Sequence, residues 1–103
     1  MGSLLLISLL FYSYFPPGPS AGSTHSVEIR NMKFVPAELR VHKGDSVIFL
    51  NCDLVVHNVT EKNKTWASPT LAPKSSWTYV VKQDLSYYCS FHPMMKGRIE
   101  LKE

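Results

Sequence analysis

Cys89, His92 and Met95 follow one another at three-residue steps in Tyr87-Tyr88-Cys89-Ser90-Phe91-His92-Pro93-Met94-Met95-Lys96-Gly97. A tight loop between two strands can turn a thiol, an imidazole and a thioether spaced in this way toward one ion. A second imidazole, His57, stands in Val55-Val56-His57-Asn58-Val59 and can reach the same point from a neighbouring strand. Two imidazoles and one thiolate in a plane, with a weak axial thioether, make up the ligand set of a blue-copper centre. Soft sulfur favours Cu(I), while imidazole nitrogen holds both oxidation states. A rigid scaffold that keeps one geometry for both lets an electron pass with little reorganisation. No open coordination position is required, so the pattern points away from substrate chemistry.

The same residues admit other readings. Cys52 and Cys89 could form a disulfide, which an exported protein permits. With Trp66 between them and Tyr87 two positions before Cys89, that pairing imitates a metal-free, immunoglobulin-like binding domain. It leaves His57, His92 and Met95 without a role. Cys52, His57, Cys89 and His92 could instead hold a structural zinc ion, at the expense of Met95 and Asn58. Cys52 could also be an extra copper ligand. A copper-delivery or storage protein would use the same soft donors. An oxidase or reductase would need further copper sites built from several histidines, and the chain has only four. His25 and His42 read as solvated residues, Met32 as core filling, and Trp66 and Trp77 as packing.

Short strands must position the donors. Ser26–Arg30, Ala37–His42, Ser46–Leu50, Trp77–Val81, Leu85–Cys89 and Arg98–Leu101 alternate or are rich in β-branched and aromatic residues, and Val55–Thr60 is a further candidate. Lys43-Gly44-Asp45 and Lys82-Gln83-Asp84 read as turns. No window keeps a capped helical period. Pro36, Pro69 and Pro73 fall between strands, where a missing N–H does least harm. The pattern predicts an all-β sandwich or barrel.

Phe34-x-Pro36, Val41-x-Lys43-Gly44-Asp45-x-Val47, Asn51, His57-Asn58-Val59 and Tyr88-Cys89-x-x-His92 together resemble the plastocyanin/azurin family of cupredoxins across residues 26–103. The Cys-x2-His-x2-Met loop is most similar to that of the amicyanins. The resemblance implies a cupredoxin-like Greek-key β-sandwich of about seven antiparallel strands and one type 1 copper per chain. It implies His57, Cys89, His92 and Met95 as ligands. It also implies that Asn58 ties the two ligand loops together and that its backbone N–H serves the Cys89 sulfur. His57 and Cys89 are 32 positions apart, a short interval for the family, which implies a trimmed sandwich edge.

The chain has 103 residues, enough for one domain, and a formal net charge of +3. At 45% hydrophobic and 18% charged residues it is not disordered in composition, and it has no Lys/Arg cluster for nucleic acid. Leu4–Phe15 is an apolar run followed by Pro16-Pro17-Gly18-Pro19 and the small residues Ser20-Ala21-Gly22-Ser23. It is shorter than the roughly 20 residues of a spanning helix and suits a signal peptide, although no Lys or Arg precedes it. Residues 1–21 are thus expected to be a signal peptide or an anchor, and 22–103 the copper-binding domain of an exported, periplasmic monomer. Phe91, Pro93 and Met94 are expected to frame His92 as an apolar patch for transient docking of redox proteins.

Overall fold

The computed structural model describes Gly2 and residues 22–102. The expected segment 1–21 therefore falls almost wholly outside the described residues. Eight strands are present among the described residues: β1 (Thr24–Arg30), β2 (Lys33–Val35), β3 (Glu38–Val41), β4 (Ser46–Asn51), β5 (Thr60–Glu61), β6 (Ser76–Val80), β7 (Leu85–Cys89) and β8 (His92–Leu101). They form two four-stranded sheets, in the orders β2-β1-β4-β6 and β3-β8-β7-β5. No helix among the described residues is long and apolar enough to cross a membrane.

Alternation explains how the layers close. Val27 and Ile29 of β1, Val47 and Phe49 of β4, Leu85, Tyr87 and Cys89 of β7, and Ile99 of β8 are buried, while their neighbours along each strand are more exposed. Burying one face per sheet supplies the main driving force and fixes register, because a one-residue slip would turn each apolar set outward. Tyr87 sits at the middle of the core, edge-on to Phe34 at 4.8 Å and to Phe49 at 5.3 Å between ring centroids. Trp66, Trp77 and Tyr79 form a second, half-buried aromatic group, with Trp66 stacked on Tyr79 at 4.8 Å.

Three features differ from the sequence-based expectations. The strands are not all antiparallel: β1 runs parallel to β4, and β3 parallel to β8. Greek-key crossovers bring strands from separate hairpins side by side, and two of these neighbours run the same way. The three-residue strand β2 follows β1 through Asn31 and Met32, whose φ values of 52° and 61° are both left-handed. A two-residue loop with both central residues left-handed is the type I′ turn that suits strand twist. Finally, Val55–Thr60 is strand only at its end. His57 makes an isolated bridge to Leu71, and the Asn51 side chain donates to the carbonyls of Val55 at 2.8 Å and Leu71 at 2.9 Å. A buried amide thus replaces the ladder along this stretch.

Candidate metal centre

The C-terminal donors are placed by one irregular hairpin. Cys89 pairs with His92 across a two-residue turn, whereas Tyr88 pairs with Lys96. One step along β7 therefore corresponds to four along β8, and Pro93, Met94 and Met95 bulge out of the ladder. Such bulges re-aim side chains. Here Met95 turns inward to 5% exposure and Met94 outward to 91%. His92 is partly buried, between the exposed Phe91 and Pro93.

His57 and Cys89 are both completely buried. Their Nδ1 and Sγ atoms face each other at 3.7 Å. The imidazole of His92 lies edge-on to that of His57, with centroids 5.1 Å apart. No group of three or more His, Cys, Asp or Glu that could hold an ion stands out among the described residues; His57 and Cys89 are the thiol–imidazole pair.

Asn58 joins the two loops. Its N–H reaches the Cys89 sulfur at 3.5 Å. Its side-chain amide donates to Ser90 Oγ at 2.6 Å, and its carbonyl oxygen accepts the Ser90 N–H at 2.8 Å and the Thr60 hydroxyl at 3.1 Å. The sequence reading missed Asp53. Its carboxylate accepts from His57 Nε2 at 2.8 Å and from the N–H groups of Asn31 at 2.7 Å and Met32 at 2.9 Å. Desolvation pushes the Asp53 carboxyl up, but the hydrogen bonds from Met32, His57 and Asn31 outweigh it and hold the group below the usual carboxylate range. A carboxylate four positions before a candidate ligand histidine was the available signal.

The donor set fits a soft cation. An ionised carboxylate only accepts, so His57 Nε2 carries a hydrogen, and Nδ1 is the ring atom turned toward the sulfur. A lone pair aimed at a buried sulfur is stabilised by the thiol proton or by a thiophilic ion between the two. Cys52 and Cys89 are both free thiols, which corrects the disulfide alternative and the metal-free immunoglobulin-like domain with it. Cys52 begins the loop after β4, where its N–H is held by the Ile29 carbonyl at 2.8 Å. Met32 is also corrected: at 41% exposure it is a surface residue, bordering one depression with Phe91, His92, Pro93, Met94 and Met95. Leu54, Val55 and Val56, in the loop ahead of His57, add exposed apolar surface that the sequence reading did not foresee.

Two parallel-containing sheets packed as a Greek-key sandwich, with sulfur and imidazole donors gathered at a bulged hairpin, define the cupredoxin class. Residues 3–99 match the cupredoxin-like domain family, and the chain belongs to it. It is 38% identical over 88 residues to amicyanin-alpha of Methylorubrum extorquens, a match covering 77% of this chain and 71% of that relative. A Cu(I) amicyanin variant superposes with a TM-score of 0.72 at 23% identity, over 78% of this chain and 83% of that one. A copper-containing nitrite reductase from Thermus scotoductus gives 0.71 at 23% identity over 78% of this chain, but only 22% of the enzyme is matched. Cupredoxins of this kind bind one copper per chain.

Proposed function

We propose that this cupredoxin is a small one-electron carrier that holds type 1 copper through His57, Cys89, His92 and Met95. The observation that carries the reading is the fully buried His57–Cys89 pair, with Nδ1 and Sγ 3.7 Å apart, beneath a partly exposed His92. Copper, when bound, supplies the Cu(II)/Cu(I) couple. The chain supplies the rest. Cys89 and His57 are preformed and dry, Asn58 stabilises the thiolate through its N–H, and His92 and Met95 complete the set from the bulge. His92 then serves as the conduit to the surface. Phe91, Pro93, Met94 and Met32 surround it with apolar side chains, a patch suited to brief docking of redox proteins and rapid release. Lys33 borders the same depression and favours a partner with an acidic rim.

The domain is residues 22–103, and residues 1–21 direct export to the periplasm. The chain works as a monomer and performs no substrate chemistry of its own. The experiment is the visible spectrum of the copper-loaded, oxidised protein. An intense thiolate-to-copper band is expected, and Cys89→Ser should abolish it. A variant that keeps the band would overturn the assignment. Loss of copper to an apo acceptor faster than electron exchange would favour copper delivery instead.

A further inference from the structure

Asp53 stands at a junction that the ligand set alone does not require. Its carboxylate takes three hydrogen bonds: from His57 Nε2 at 2.8 Å and from the N–H groups of Asn31 at 2.7 Å and Met32 at 2.9 Å. Its own N–H is held by Asn51 Oδ1 at 2.9 Å, and Asn51 is completely buried. The Asp53 side chain is 13% exposed and that of His57 is 0% exposed. The two N–H groups are available only because Asn31 and Met32 both adopt left-handed backbone. Glycine is the ordinary residue at the second position of such a turn, and a methionine there is strained by its Cβ. The turn is therefore shaped at some expense, and its N–H pair is spent on this carboxylate.

We propose that Asp53 is a positioning residue for the copper centre, one that locks His57 in the Nε2–H tautomer and fixes its ring so that Nδ1 faces Cys89. The carboxylate accepts and cannot donate, so a rotated or Nδ1–H imidazole loses its partner in a buried site. The turn N–H groups keep the carboxylate from following a ring flip. The carboxylate also places negative charge against the imidazole and so favours the more highly charged oxidation state of a bound metal. The inference rests on the electron-carrier reading for its redox part alone; the tautomer part concerns the metal-free chain.

Long-range nitrogen–proton NMR of the apo protein should show His57 as a single Nε2–H tautomer, and Asp53→Ala should give a mixture of tautomers. In the copper-loaded protein Asp53→Ala should weaken Cu(II) binding roughly 10–100-fold. Cu(I) binding should weaken about tenfold less, which raises the reduction potential by about 59 mV. Asp53→Asn, which preserves shape but cannot accept from all three donors, should fold and move both readouts in the same direction. A single tautomer in both Asp53 variants, or an unchanged potential with copper bound, would overturn the proposal. Failure of the wild-type chain to bind copper would count against the carrier reading, and the apo tautomer would still decide the role of Asp53.

Discussion

Three of the four proposed donors are held by a neighbouring group. The Asn58 N–H addresses the sulfur of Cys89, Asp53 sets the orientation of His57, and the bulge turns Met95 inward and Met94 outward. Cys89, His92 and Met95 at three-residue steps, with His57 from a separate stretch, were legible as candidates because residue type and spacing carry their chemistry. The controlling residues were less so. Asp53 stands between Cys52 and the apolar Leu54-Val55-Val56 with no motif of its own, and Met32 was read as core filling because nothing in a linear sequence marks a methionine on left-handed backbone. The axial position gives a prediction at this scale. Met95→Gln should retain copper but shift the reduction potential measurably in voltammetry, because axial ligation is weak and tunes the couple more than it holds the metal. An unchanged potential would show that Met95 is not axial.

Strand elements were legible where one face is buried and the other is not. β4, β7 and the second half of β8 follow their alternation. Val55–His57 was misread because β-branched residues in a loop look like a strand, and the Asn51 amide that takes the place of the ladder leaves no periodic trace. The β7–β8 pair supplies two further predictions. Gly97 lies opposite Tyr87 in register, and a Cβ there would overlap the phenol ring. Gly97→Ala should therefore lower stability by about 1–3 kcal/mol in denaturant titration, through overpacking. The Tyr87 hydroxyl is buried without a hydrogen-bond partner, and burial pushes its ionisation well above the usual tyrosine range. An unsatisfied buried hydroxyl costs about 1–3 kcal/mol. Tyr87→Phe should thus be neutral or stabilising in the same titration, and a clear destabilisation would reveal a partner for the hydroxyl.

At the scale of the whole molecule, the sandwich and its single domain follow from composition and alternation, whereas strand order and the parallel pairs do not, because they depend on which distant segments meet. One long-range tie has a pH signature. The Asp45 carboxylate accepts from the His25 ring and from the N–H groups of His42 and Ser23, each at 2.9 Å, joining the start of β1 to the β3–β4 turn. The His25 hydrogen bond, then that of the His42 N–H, holds its carboxyl below the usual range. A carboxyl that is more acidic folded than unfolded stabilises above its unfolded value of about 3.9 and loses that contribution as pH falls through the folded value. Acid unfolding monitored by circular dichroism should show a loss below about pH 4 that Asp45→Asn reduces, the rest coming from Asp53, whose carboxyl is also held low; an identical acid limb in the variant would count against the Asp45 share.

The parallel alignment of β3 with β8 joins Glu38 to Arg98, 60 positions apart. Loop closure over such a distance must be met before any contact rewards it, so topologies of this sort assemble on millisecond-to-second timescales. Since β8 begins at His92 and contains Met95, the hairpin that carries two of the proposed ligands gains its final shape only as this slow docking completes. A newly made chain must therefore complete a search through conformations before that hairpin can accept a metal.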